Sequence, residues 1–161
     1  MEHHNTHPFG PYVDSNSKIL ILGSFPSVKS RAQNFYYGHP QNRFWKVLAA
    51  CVNDHVPTHL DEKRQFLSSH QIALWDVIDS CDITGSSDAS IKNATPTDIP
   101  DLLKKTNIQK ILVNGKAAAK LFQRYWPNLD FIALPSTSAA NAAMSLEHLI
   151  VEYKNAFHPK T

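Results

Sequence analysis

Four short apolar runs punctuate the chain, at residues 19–22, 72–75, 110–113 and 131–134. Each is continuous rather than alternating, the pattern of strands covered on both faces in a parallel sheet. Between them the apolar spacing becomes helical. Phe44, Val47, Leu48 and Cys51 follow i, i+3, i+4, i+7, with Trp45 and Val52 widening the stripe. Ala118, Leu121, Phe122 and Tyr125 repeat that spacing, as do Leu146, Leu149, Ile150 and Tyr153 behind Ser145, a candidate N-cap. A shorter helix is expected after Thr97 as cap, with Asp98 and Asp101 in its first turn and Ile99, Leu102 and Leu103 packing inward. Weaker helical spacing covers 60–69. Strands alternating with helices predict an α/β three-layer sandwich around a central four-stranded, mostly parallel sheet. Residues 1–17 are polar, carry Pro8, Gly10 and Pro11, and read as an N-terminal arm; 18–161 reads as a single domain.

Composition narrows the class. The 161 residues are 42% hydrophobic and 19% charged, a globular balance at one domain's length. Sixteen basic and 14 acidic side chains leave a net charge of +2, which permits nucleic acid without demanding it. Two cysteines, Cys51 and Cys81, fall short of the roughly four ligands of a structural zinc or iron–sulfur site, and read as reduced thiols of a cytosolic protein. None of the five glycines is spaced for GxGxxG or a Walker A loop, which disfavours dinucleotide oxidoreductases and P-loop NTPases. No apolar span approaches the roughly 20 residues of a transmembrane helix, and no signal peptide is visible. A cytoplasmic protein with no membrane partner is expected. The nine histidines form no HExxH-like set, so no metal and no cofactor are expected.

In open α/β sheets, ligands gather beyond the carboxyl ends of the strands. Here the runs end at Gly23-Ser24, Asp76, Asn114 and Pro135-Ser136. One polar strand end is a wet loop; four at one edge suggest a site. From Ser24 to Asn42 the chain has neither helical nor strand spacing, long for a structureless connection. It carries Phe25, Phe35, Tyr36 and Tyr37, suited to stacking on a flat ligand or to pinning the loop from inside. Asn42, just before a helix, is by spacing alone an N-cap.

Two segments carry a resemblance. Leu22-Gly23-Ser24-Phe25-Pro26-Ser27, followed by Gly38-His39-Pro40-Gln41-Asn42-Arg43-Phe44-Trp45, resembles the first motif region of the uracil-DNA glycosylase superfamily. Leu134-Pro135-Ser136-Thr137-Ser138-Ala139-Ala140-Asn141 resembles its second motif, and the likeness spans about residues 7–157. Phe25 stands where the mismatch-specific branch has its catalytic Asn and the main uracil branch a carboxylate, and the second motif lacks a His. GSFPS with LPSTSAAN is similar instead to the hypoxanthine-DNA (deoxyinosine) glycosylases.

That resemblance implies a base-excision enzyme that hydrolyses the N-glycosidic bond of a flipped deaminated base. Asn42 would be catalytic, positioning the water. Tyr37 would stack on the base, within a base-binding set of Gly23, Ser24, Phe25, Tyr37, Asp76 and Asn114. Asp76 would accept the N1–H of hypoxanthine and repel the bare N1 of adenine; a helix cap or salt bridge is the competing reading. Asn114 would meet the base or cap the next helix. Ser27, Ser136, Thr137, Ser138 and Asn141 would bind DNA, with Lys29 and Arg31 adding attraction. The partner implied is DNA containing a deaminated base, met by a monomer. The competing readings are a uracil- or mismatch-directed glycosylase, a non-catalytic nucleic-acid binder and, more remotely, a free-nucleoside hydrolase.

Overall fold

A computed structural model of the chain describes residues 3–33 and 35–158, with the backbone alone for His3, Val28, Lys29 and Gln33. In chain order the elements are β1 (His3–Thr6), β2 (Ile19–Gly23), α1 (Val28–Gln33), α2 (Phe44–Val52), α3 (Leu60–Ser69), β3 (Ile72–Asp76) and β4 (Ile78–Ile83). After a 3-10 turn at Asp88–Ser90 come β5 (Lys92–Pro96), α4 (Ile99–Lys105), β6 (Lys110–Asn114), α5 (Lys116–Tyr125), β7 (Ile132–Leu134) and α6 (Leu146–Phe157).

The four apolar runs become one parallel sheet in the order β3-β2-β6-β7. Its centre explains why the runs are apolar at every position. Ile21 of β2 packs into a cluster with residues of α2, α3 and α6, while Leu20 and Leu22 pack into another with residues of α4 and α5. All three side chains are fully buried, each worth roughly 1.5–3 kcal/mol of transfer free energy. Helices therefore cover both faces, and the expected α/β three-layer sandwich is what forms. Strand β3 lies at the sheet's edge, where Tyr12 pairs with Leu74 through two backbone hydrogen bonds of 2.9 Å and covers it.

A second sheet, antiparallel and ordered β1-β4-β5, was not anticipated from the sequence. Within the stretch read as an arm, residues 3–6 pair with 80–83; Met1 and Glu2 lie outside the described residues. The strand HHNT has no apolar signature because an edge strand is held by backbone hydrogen bonds and can face water. The two sheets share a corner. Val77 N–H donates to Gly23 O and Ile78 N–H to Ser24 O, carrying the chain from β3 into β4. The buried Thr97 hydroxyl contacts the carbonyls of Asp76 (2.8 Å) and Val77 (3.1 Å). Thr97 is thus not the helix cap; Asp98 is, accepting from Asp101 N–H. Ser145 caps α6 as expected, accepting from His148 N–H. The stretch without pattern after β2 contains the short helix α1, whose single turn is too brief to show a period.

Candidate active site

The carboxyl ends of β2, β3 and β6 and the loop after β7 open into a cleft of about 400 Å³. Of the residues singled out from sequence, Gly23, Ser24, Phe25, Ser27, Tyr37, Asn42, Asp76, Asn114, Ser136, Thr137 and Ser138 all line it; Asn141 does not.

Asn42 is held by a chain of hydrogen bonds whose directions are forced. Thr137 N–H, an obligate donor, points at Asn114 Oδ1 (3.1 Å), so Asn114 Nδ2 is the group that meets Thr137 Oγ1 (3.0 Å). The Thr137 hydroxyl, accepting there, donates to Asn42 Oδ1 (2.8 Å). The same Oδ1 accepts from Phe44 N–H (3.0 Å) at the start of α2. Both acceptor positions of Oδ1 are thereby filled, and what Asn42 offers the cleft is its Nδ2 donor pair. Asn42 accepts from the first amide of α2 but is not its N-cap, the position that spacing gave it; that place is taken by Arg43. Asn114 does not cap α5, whose N-cap is Gly115.

Arg43 keeps this arrangement together, and sequence reasoning gave it no role. Its guanidinium donates to the carbonyls of Thr137, Ser138, Asn141 and Met144, and its backbone N–H to Thr137 O. The loop after β7 is thus clamped onto the start of α2. Within that loop Ser136 Oγ accepts from Ser138 N–H and Ser138 Oγ from Ala140 N–H. Asn141 Nδ2 donates to Ser136 O (3.0 Å), so the residue shapes the loop without reaching the cleft. Thr137, expected on the DNA-facing side, is fully buried and acts inside. Ser27 Oγ accepts from Ser30 N–H in the first turn of α1, and Ser30 Oγ in turn accepts from Gly38 N–H.

Asp76, at the last position of β3, is buried. Its Oδ2 lies 2.8 Å from Nε2 of His7, a residue of the stretch read as an arm, a hydrogen-bonded pair that is a salt bridge when the imidazole is protonated. Its Oδ1 sits above Gly23: a Cβ there would come within 2.6 Å of Oδ1 and 3.2 Å of the Tyr37 hydroxyl. Only glycine lets the carboxylate and phenol converge over that strand end. Tyr37 takes a left-handed backbone (φ 53°) and stacks one ring face on Phe44, with centroids 3.7 Å apart. Its buried hydroxyl has no partner among the described residues. Burial, then the Asp76 charge, push that phenol well above its usual range.

Phe25 borders the cleft yet packs with Ile78, Cys81 and Ile83 beneath the second sheet, with the Arg31 guanidinium over its ring. Ser24 donates its hydroxyl to Asp88 Oδ1, and burial raises the Asp88 carboxyl above its ordinary value. Arg31 also donates to Gly85 O; the Lys29 side chain lies outside the described residues. His7, Arg43 and Asp88 were missed because each acts through contacts distant in sequence; Ser30, bonded to Ser27 and Gly38, was missed because α1 showed no period. Among the described residues no group of His, Cys, Asp and Glu could hold a metal ion, and no helix is long and apolar enough to cross a membrane.

Comparison with known proteins places this geometry. The family model described as the uracil DNA glycosylase superfamily matches residues 10–157. A protein of Methanosarcina acetivorans named hypoxanthine DNA glycosylase is 33% identical over 144 residues, covering 85% of this chain and 89% of its own. One of the same name from Methanosarcina barkeri is 32% identical over 114 residues, 70% of this chain and 72% of that one. The solution NMR structure of a candidate uracil DNA glycosylase from M. acetivorans superposes with a TM-score of 0.77 at 28% identity, covering 93% of this chain and 97% of that one. With the family model spanning the sheet, both motif loops and the cleft between them, the chain belongs to the uracil DNA glycosylase superfamily.

Proposed function

We propose that this protein is a monofunctional DNA glycosylase that removes hypoxanthine from deoxyinosine in DNA, acting as a monomer and without a metal. The observation that carries the reading is the buried carboxylate of Asp76 lining the cleft shared by Asn42 and Tyr37. Hypoxanthine presents N1–H as a donor, which a carboxylate accepts; adenine presents a bare N1 that it repels. Both relatives named above are hypoxanthine DNA glycosylases.

The base is flipped out of the duplex before it can reach such a cleft. Tyr37, braced by Phe44 on one face, stacks on it. As the glycosidic bond breaks, the sugar becomes oxocarbenium-like and asks little of its nucleophile, so orientation matters more than basicity. Asn42 supplies that orientation through Nδ2, holding the attacking water by its oxygen, since Oδ1 is already filled. Ser136 and Ser138 accept within their loop but keep their own O–H to donate to a phosphate oxygen. Ser27 has no such freedom, its hydroxyl being engaged with Ser30. No lysine is among the described residues lining the cleft to form a Schiff base, hence base removal without strand cleavage.

Uracil also carries an N–H beside carbonyls. Against that reading, the residue at the position of the uracil branches' polar catalytic group is Phe25, engaged in an apolar cluster. The test is a duplex bearing one deoxyinosine, incubated with EDTA and then alkali, beside a matched deoxyuridine duplex. Strand scission at inosine after alkali alone is expected. Scission confined to uracil would replace hypoxanthine as substrate, and scission at neither would leave a nucleic-acid binder.

A further inference from the structure

We propose that His7 is a positioning residue that keeps Asp76 Oδ1 a pure hydrogen-bond acceptor, and thereby sets the preference for bases bearing N–H over bases bearing a bare ring nitrogen. This rests on the reading of Asp76 as the base-reading residue.

The argument comes from the two contacts of one imidazole. Nδ1 of His7 meets the carbonyl oxygen of Phe9, which can only accept, so Nδ1 carries a hydrogen. Nε2 lies 2.8 Å from Asp76 Oδ2, and the two side chains are 2% and 5% exposed. With Nδ1–H fixed, two arrangements fill that contact. Either an imidazolium donates Nε2–H to a carboxylate, or a neutral imidazole accepts a proton carried on Oδ2. In both, the shared proton is on the Oδ2 side, and Oδ1 over Gly23 holds none. The acceptor character of Oδ1 is therefore independent of which partner owns the proton.

The imidazole is placed firmly enough to do this. The rings of Phe9, Phe25 and Tyr36 surround it with centroids 4.8–5.9 Å away. The Tyr36 hydroxyl donates to Gly10 O, and His7 N–H to Asp79 O, tying the segment to the fold. Among the described residues, the phenols of Tyr36 and Tyr37 and the carboxyl of Asp88 are shifted by the Asp76 charge, and the imidazole of His39 lines the same cleft. Without His7, the contact that keeps the shared proton on the Oδ2 side is gone, and a proton on Asp76 is free to sit on Oδ1. That would turn the reader into a donor, matched to adenine N1 and mismatched to hypoxanthine N1–H.

The experiment compares wild type, His7→Leu and His7→Gln in single-turnover excision from duplexes bearing deoxyinosine, or deoxyadenosine at the same place, across roughly pH 6–9. His7→Gln retains an N–H for Oδ2 without the charge. Expected for His7→Leu is a roughly 10–100-fold lower inosine rate and a lower inosine-to-adenosine ratio. His7→Gln should recover most of the ratio. In parallel, long-range proton–nitrogen NMR of histidine-labelled wild type should show His7 Nδ1 protonated. A His7 with bare Nδ1, or a His7→Leu variant with wild-type rate and ratio, would overturn the proposal. Should His7→Leu fail to fold, the glutamine variant and the NMR signature decide. Failure of wild type to excise inosine would instead overturn the substrate reading, which the NMR arm does not touch.

Discussion

Thr137 and Asn42 lie 95 positions apart, yet the hydroxyl of one donates to the amide oxygen of the other across 2.8 Å in the interior of the cleft wall. The direction of that bond is not a matter of choice. It follows from two backbone N–H groups, of Thr137 and Phe44, which can only donate. Between them these amides set the orientation of Asn114, then of the hydroxyl, then of Asn42. An amide that could otherwise flip is presented to the cleft in one state.

Replacing Thr137 by Val removes the central link while keeping the shape. Asn42 Oδ1 then has a vacant acceptor position, and the buried Asn114 Nδ2 loses its partner. We expect a loss of about 1–3 kcal/mol in stability, and an excision rate lower by roughly 10–100-fold because Asn42 is then oriented by Phe44 N–H alone. Thr137→Ser keeps the hydroxyl and should stay within a few-fold of wild type (on the order of 2–5-fold). Single-turnover kinetics beside urea denaturation measure both; a fully active valine variant would show that the network does not hold Asn42.

Asn42 itself allows a sharper distinction than alanine alone. Asn42→Ala should abolish excision while leaving cooperative unfolding. Asn42→Asp preserves both bonds that Oδ1 accepts, and a carboxylate near the start of α2 suits the helix dipole, so the fold should be undiminished. It has no N–H to offer, however. If Nδ2 is the working group, aspartate should be as inactive as alanine, a loss of at least about 100-fold. An active aspartate variant would mean that the residue works as an acceptor or base.

Much of this arrangement could be read in the residues beforehand, and the part that could not has a common cause. Ile21, Leu20 and Leu22 are apolar because both faces of their strand are covered, so run length and continuity announced the sheet. Strand ends announced the cleft, since Gly23, Asp76 and Asn114 are the final residues of β2, β3 and β6. The second sheet was illegible: HHNT and KNATP pair through backbone groups that every residue carries. His7 and Arg43 were illegible for a related reason. Their partners are Asp76 and the carbonyls of residues 137–144, and nothing local in the sequence marks such contacts. Phe25 was placed at the cleft correctly, but its burial against β4 residues required the missing sheet.

Gly23 offers a test of how closely Asp76 and Tyr37 are packed at the end of β2. A methyl group there would stand 2.6 Å from Asp76 Oδ1, inside contact distance, and 3.2 Å from the Tyr37 hydroxyl. Asp76 is held by His7 on its other oxygen and cannot retreat without breaking that contact. Gly23→Ala should therefore cost about 1–3 kcal/mol of stability and lower inosine excision by roughly 10-fold or more. Calorimetry and excision kinetics read the two effects, and an alanine variant with unchanged turnover would show that Asp76 has room to move.

Asp88 gives the pH dependence its sign. Burial, against the bond from Ser24, raises its carboxyl above the ordinary 3.8, with the Asp76 charge adding to the rise. Between the ordinary and the raised value the folded protein keeps a proton that the unfolded chain has released, so stability falls as pH rises through that window. Above it, the folded state holds an incompletely hydrated anion near the charge of Asp76, at a small standing cost because Asp88 still reaches solvent. Asp88→Asn removes the charge and still accepts from the Ser24 hydroxyl. The variant should be more resistant to urea than wild type at pH 7 and no more resistant at pH 3, below the ordinary carboxyl range. Equal midpoints at pH 7 would mean that solvent at the exposed Asp88, or a rearranged Ser24, relieves the carboxylate.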